Sequence, residues 1–174
     1  RVDASVDYRW IFGKHVVRPG FTAYIYHDDP GSKAKDTYEF FVNYTYDTLL
    51  LPSATIYYDF SEIEGVFVTL SVAHSYSLAK DKLALDLKLF LDAADKKYSD
   101  ALFKFAELKD SDHILQEQVS FVDATALISM PVNVGKYGVL TPAIKYVMLL
   151  DSTSIDNTRK AGYDANIMVY SLAY

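Results

Sequence analysis

The sequence predicts an all-β chain, a transmembrane antiparallel up-and-down β-barrel, and three observations carry that reading. Apolar and polar residues alternate with period two over most of the 174 residues, the pattern of strands with one apolar and one polar face. Within the alternating segments the apolar set contains no Lys, Arg, Asp or Glu. The segments are mostly about nine to eleven residues long, the length of a tilted membrane strand, whereas soluble strands run to about five or six.

Taken in chain order, residues 2–12 place Val2, Ala4, Val6, Tyr8, Trp10 and Phe12 on one face and Asp3, Ser5, Asp7 and Arg9 on the other, with Arg1 just before them. Residues 16–27 follow with apolar Val17, Phe21, Ala23 and Ile25 opposite Arg18. Residues 37–47 (Tyr38, Phe40, Val42, Tyr44, Tyr46) and 53–60 (Ala54, Ile56, Tyr58, Phe60) repeat the pattern, with Glu39 and Asp59 on the polar side. In 66–78, Val66, Val68, Leu70, Val72, His74, Tyr76 and Leu78 alternate with Thr69, Ser71, Ala73, Ser75 and Ser77. Residues 83–92 set Leu83, Leu85, Leu87, Leu89 and Leu91 against Asp86, Lys88 and Asp92. Leucine favours helices, but a helix would spread these five right round its surface, so the alternation decides for a strand. Residues 121–132 (Val122, Ala124, Ala126, Ile128, Met130, Val132), 139–150 (Leu140, Ile144, Tyr146, Met148, Leu150) and 163–174 (Met168, Tyr170, Leu172, Tyr174) complete about nine strands, with Asp123 and Lys145 on the polar face.

Composition bounds the rest. The chain is 51% apolar and 15% aromatic, yet its mean hydropathy is near zero, as interleaving requires. The length fits a single domain, 1–174. No uncharged apolar run approaches the roughly 18–20 residues of a membrane helix. The absence of Cys excludes disulfides, cysteine nucleophiles and thiolate metal sites. A net charge of −6 argues against nucleic acid as a partner.

The links alternate in length. Short ones are expected near 13–15, 48–52, 79–82 and 133–138, longer ones near 28–36, 93–118 and 151–162, with 61–65 intermediate. Outer-membrane barrels have tight periplasmic turns and longer external loops. The segment 93–118, with Phe103, Phe105 and Leu108, is read as an external surface excursion, the alternative being a fold into the mouth or a short helix. If the short turns are periplasmic, the first and last visible strands both run inward. Even strand numbers in bacterial barrels then lead to the expectation that N-terminal strands are missing and that the complete barrel has about ten or twelve. No signal peptide is visible.

The chain ends on alternate apolar residues, Met168, Tyr170, Leu172 and Tyr174. This resembles the C-terminal signal of bacterial outer-membrane proteins that the barrel-assembly machinery reads. The stretch from Tyr46 through Leu51-Pro52-Ser53-Ala54-Thr55-Ile56-Tyr57-Tyr58-Asp59-Phe60 resembles uncharacterised outer-membrane porins of the TorF-like kind, as do Val72-Ala73-His74-Ser75-Tyr76-Ser77-Leu78, Leu140-Thr141-Pro142 and Leu149-Leu150-Asp151. The likeness covers most of the chain from about Tyr38 onward and brings no catalytic motif. It implies a barrel in the outer membrane of a Gram-negative bacterium, preceded by further strands. Fewer glycines and the longer segment at 93–118 depart from that family and bear on pore properties more than on fold.

Chemistry on this scaffold is sparse. His15, His27, His74 and His113 show no metal-ligand spacing, and His74 reads as an interfacial ring near a periplasmic turn. His27-Asp28-Asp29 and Asp110-Ser111-Asp112-His113 lack calcium-loop spacing and read as solvated loops. No Ser lies in a nucleophile motif, so no enzyme, cofactor or metal is expected. Arg9, Arg18, Glu39, Asp86, Lys88, Asp123 and Lys145 are the candidate lumen-lining residues. Asp86, Lys88 and Asp92 can line an open pore or lock into a static salt-bridge network. Trp10, Phe12, Tyr44, Tyr46, Tyr76, Tyr170 and Tyr174 are expected in one aromatic girdle, and Tyr38, Phe40, Tyr58, Phe60 and Phe67 in the other. Tyr24, Tyr26 and Tyr57 fall inward by parity. The expected function is passive passage of small solutes or ions across the outer membrane, with the lipid bilayer as partner and any homo-oligomer unspecified. The alternative is a closed structural or adhesive barrel whose external loops bind a partner. A soluble calycin-like barrel remains a third reading, because alternation does not say which face points inward.

Overall fold

The computed structural model describes residues 2–26, 35–80, 82–103, 120–152, 155, 156, 159 and 164–173. Its elements are β1 (Val2–Asp7), β2 (Trp10–Phe12), β3 (His15–Ile25), β4 (Thr37–Tyr46), β5 (Ser53–Asp59), β6 (Gly65–Ala79), β7 (Leu83–Ala94), α1 (Lys96–Phe103), β8 (Ser120–Ser129), β9 (Val132–Asn133), a 3-10 turn (Gly135–Tyr137), β10 (Val139–Leu149) and β11 (Asn166–Ala173). The strands form one antiparallel sheet in the order β1-β3-β4-β5-β6-β7-β8-β10-β11, with β2 also on β3, and β9 between β7 and β10. All nine expected strands are present. β1 and β2 are two halves of one, broken at Tyr8–Arg9, where the Tyr8 amide donates to the Pro19 carbonyl at 3.0 Å. β8 and β9 are halves of another, broken at Met130–Pro131. Among the described residues β1 pairs only with β3 and β11 only with β10.

Registers keep the two faces separate across the whole sheet. Ile56 pairs with Val42 and Val68, Leu70 with Ala54 and Leu91, Ile144 with Ile128 and Tyr170. On the other side Asn43 pairs with Arg18 and Thr55, and Asp92 with Thr69 and Asp123. A one-residue slip would exchange the faces, so the alternation itself fixes the pairing.

Two expected placements change. A bulge after Asp92/Asp123 makes Ala93 pair with Phe121; the extra residue reverses parity, so Phe121 points out at 56% exposed and Val122 is buried at 2%. Phe67, expected in the external girdle, pairs with Tyr57 and Ala94 on the polar side and packs tilted against Tyr57 at 6.1 Å between ring centroids. Its odd position in a strand whose apolar face is even accounts for this.

The links 13–14, 47–52, 80–82 and 134–138 lie at one end of the meander, and at the other β3–β4, β7–β8 and β10–β11 have longer links while β5–β6 has a short one, 60–64. The β5–β6 link is organised by Asp59, which is 1% exposed. Its carboxylate accepts the Thr37 hydroxyl and the amides of Ser61 and Ile63, the last two at 3.0 Å. Asp59→Ala removes the charged acceptor shared by these three donors and should cost about 3 kcal/mol of stability, read as a lower midpoint in equilibrium urea unfolding.

Candidate functional site

Burial is inverted relative to a water-soluble sheet. Thr22, Thr37, Glu39, Thr55, Asp59, Thr125 and Ser129 on the polar face are buried, while Phe40, Ile56, Leu70, Leu89, Ile128 and Ile144 on the apolar face are exposed. The sheltered polar face is therefore the candidate site, and it divides into three levels.

At the long-loop end lies α1. Asp95 caps it, accepting the Tyr98 amide on one carboxylate oxygen at 2.8 Å and the Val66 amide on the other at 2.9 Å, so one side chain satisfies a helix-end donor and ties the helix to β6. The Tyr98 hydroxyl donates to Glu39 Oε2 at 3.1 Å, and Tyr24 donates to Glu39 Oε1 at 3.3 Å. Glu39 sits on β4 and α1 follows β7, three strand spacings away, roughly 14 Å. The helix, tied to β6, thus reaches part of the way across the polar face through the Tyr98 side chain. Burial, then the nearby Glu39 charge, pushes the Tyr98 phenol well above its usual range, so it stays a donor. Phe67 packs on the Tyr98 ring at 5.1 Å. Gly65 lies beneath the helix start, where a Cβ would meet Asp95 Oδ1 and the Tyr98 nitrogen at 2.9 Å each. Within 93–118, read as a surface excursion with a fold into the mouth or a short helix as the alternative, residues 96–103 form a short helix that finds polar partners on the sheet; 104–119 lies outside the described residues.

The seven expected lumen residues all fall on the polar face, spread between its two ends. Arg18 makes a forked pair with Asp7, Nε to Oδ1 at 3.1 Å and Nη2 to Oδ2 at 2.8 Å. Asp123 pairs with Asp92 across β7–β8, and Asp92 Oδ1 is buried without a hydrogen-bond partner among the described residues. Lys88 and Lys145 both pair with Leu127. Asp86 lies between Ser75 and Ser129. Among the described residues no ion pair joins Asp86, Lys88 and Asp92. Ser5–Thr22, Asn43–Thr55 and Ser53–Ser71 hydrogen bonds fill the remaining polar rows at 3.0, 2.8 and 2.8 Å.

At the short-turn end a cleft of about 520 Å³ opens on the polar face, with Arg9, Arg18 and Asp47 in its wall. Asp47, Asn43 and Tyr98 escaped sequence reasoning, since their roles depend on turns and register rather than on local pattern. A second cleft of about 580 Å³ lies mostly on the apolar face, between Leu85, Ile128, Ile144 and Tyr170.

The aromatics Trp10, Tyr44, Tyr58, Tyr76 and Tyr170 are exposed on the apolar face, and Tyr46 is half-buried. His15 Nδ1 lies 2.8 Å from the Tyr44 hydroxyl, and the His15 ring is 5.1 Å from Tyr46. His74 contacts Tyr76 edge-on at 4.2 Å and the Leu49 carbonyl through Nδ1. Met168, Tyr170 and Leu172 project together, with the Tyr170 hydroxyl 2.8 Å from the Met168 sulfur. Tyr174, Arg1, His27-Asp28-Asp29 and Asp110-Ser111-Asp112-His113 lie outside the described residues. The described residues contain no group of three or more His, Asp or Glu placed to hold a metal ion, and no helix among them is long and apolar enough to cross a membrane. No protein-family model, curated protein or solved structure matches this chain.

Proposed function

We propose that the chain is an integral β-barrel of the bacterial outer membrane, porin-like, passing small solutes or ions through a lumen lined by its polar face. The inverted burial carries this reading. An apolar face this extensive and exposed is costly in water and suits lipid, while the sheltered face holds hydroxyls, amides and paired charges. A calycin-like soluble barrel needs the opposite arrangement, an apolar interior for its ligand. Closure of the barrel is part of the proposal, because open sheet edges such as those of β1 and β11 are not tolerated in hydrocarbon. So are the TorF-like kinship, insertion by the barrel-assembly machinery through the Met168–Tyr170–Leu172–Tyr174 pattern, and the two aromatic girdles.

A closed structural or adhesive barrel is the second reading, and α1 favours it by reaching over part of the polar face through Tyr98. Planar-bilayer recording of the refolded protein separates the two. Stepwise ohmic conductance in potassium chloride is expected; complete silence, with the folded protein shown in the bilayer, overturns the porin role and leaves the closed barrel.

A further inference from the structure

The cleft at the short-turn end carries more than a general preference for polar solutes. It is built from the kink between β1 and β2, from β3 and β4, and from the 48–52 turn. Arg18 and Asp7 neutralise each other through their forked bond. Asn43 is also committed: its amide donates to Thr55 at 2.8 Å and its carbonyl accepts the Thr45 hydroxyl at 3.2 Å. Two charges in the same wall remain without a side-chain partner among the described residues, Arg9 and Asp47.

The backbone is held beside Arg9 and at Asp47. Arg9 follows Tyr8, whose amide is bonded to Pro19, and the Asp47 amide donates to the Lys14 carbonyl of the neighbouring turn at 2.7 Å. The rim continues through Leu51, held at φ 40°, an unusual conformation for a non-glycine residue, with its amide on the Thr48 carbonyl at 3.1 Å. The four charges of the cleft sum to zero, so an ion of either sign gains no net attraction. A zwitterion can make two charge-assisted hydrogen bonds, one to the Arg9 guanidinium and one to the Asp47 carboxylate of the same wall. The volume lies within the range of small-molecule sites.

We propose that this cleft is a binding subsite for small zwitterions, free amino acids or short peptides, with the solute carboxylate on Arg9 and its ammonium on Asp47. The proposal rests on the porin reading, in that it takes the polar face as the solute path. Calorimetric titration of the whole chain, refolded in detergent micelles, with glycylglycine tests it. Saturable binding is expected, weakened roughly tenfold by Arg9→Gln and by Asp47→Asn, the loss of one charge-assisted bond each. Acetate and ethylammonium, carrying one charge apiece, should bind at least tenfold more weakly than glycylglycine. Because Asp47 lies in a turn, Asp47→Asn keeps the test valid if Arg9→Gln fails to fold. Absent binding, or binding unaffected by both substitutions, overturns the subsite even if potassium chloride conductance is present. Binding with the expected losses in a protein that conducts nothing upholds the subsite and removes the porin role.

Discussion

Leu70→Arg should block insertion of the refolded chain into phosphatidylcholine vesicles, and Ser71→Arg should leave insertion intact. The two positions are adjacent near the middle of β6 and differ only in the face they occupy. Leu70 pairs with Ala54 and Leu91 on the exposed apolar side; Ser71 pairs with Ser53 and Phe90 on the polar side. An arginine facing lipid at mid-membrane costs about 2–4 kcal/mol, enough to lower the inserted fraction by at least an order of magnitude. An arginine at position 71 enters a polar row at the loss of the 2.8 Å Ser53–Ser71 hydrogen bond, about 1 kcal/mol. The readout is the heat-sensitive gel mobility of folded barrel after vesicle refolding. Equal insertion by both variants, or a stronger defect for Ser71→Arg, would remove the membrane reading. A soluble protein whose apolar face is its interior would also suffer more at Leu70, by burying the arginine in its core, but its wild-type chain would fold in buffer without vesicles, which separates the two.

That contrast rests on the part of the molecule most legible in the sequence. Period-two alternation specifies strands, and because a slip of one residue exchanges the faces, it specifies register too. Even the leucines of 83–92, good helix formers, yielded to the pattern. Legibility fails where pairing departs from strict alternation. Nothing in Phe121-Val122-Asp123 announces the bulge that turns Phe121 outward and Val122 inward, because it arises from the match of β8 to β7. The breaks at Tyr8–Arg9 and Met130–Pro131 lie beside Pro19, Pro142 and Pro131, so proline was the available signal there. The lumen charges were readable as a set but not as pairs. Which partner Arg18 takes depends on the turn at Gly13, which brings Asp7 opposite Gly20 and within reach of Arg18. For α1 a local signal existed in Asp95, an N-cap residue ahead of Lys96-Lys97-Tyr98. Its destination on Glu39, 59 positions before Tyr98, is a consequence of tertiary structure alone.

Releasing α1 should raise single-channel conductance several-fold, and the double substitution Asp95→Ala with Tyr98→Phe is the means. Asp95→Ala removes the cap and the tie to the Val66 amide, at about 1 kcal/mol for the cap. Tyr98→Phe removes the bond to Glu39 while keeping the ring on Phe67. Neither residue belongs to a strand, so the β ladder, and with it insertion, should be unaffected. An eight-residue helix is far too short to be stable without tertiary contacts, so loss of its anchors should let it leave the polar face. Gly65→Ala approaches the same end from beneath, since the added carbon meets Asp95 and the Tyr98 nitrogen. The outcome also ranks the two functional readings. A wild-type chain that already conducts, and conducts more in the double variant, is a pore narrowed by its own helix. Silence in the wild type followed by conductance in the variant marks a barrel that α1 closes. If the folded double variant conducts as the wild type does, α1 does not obstruct the path, and the helix serves only to cover the buried Glu39 carboxylate.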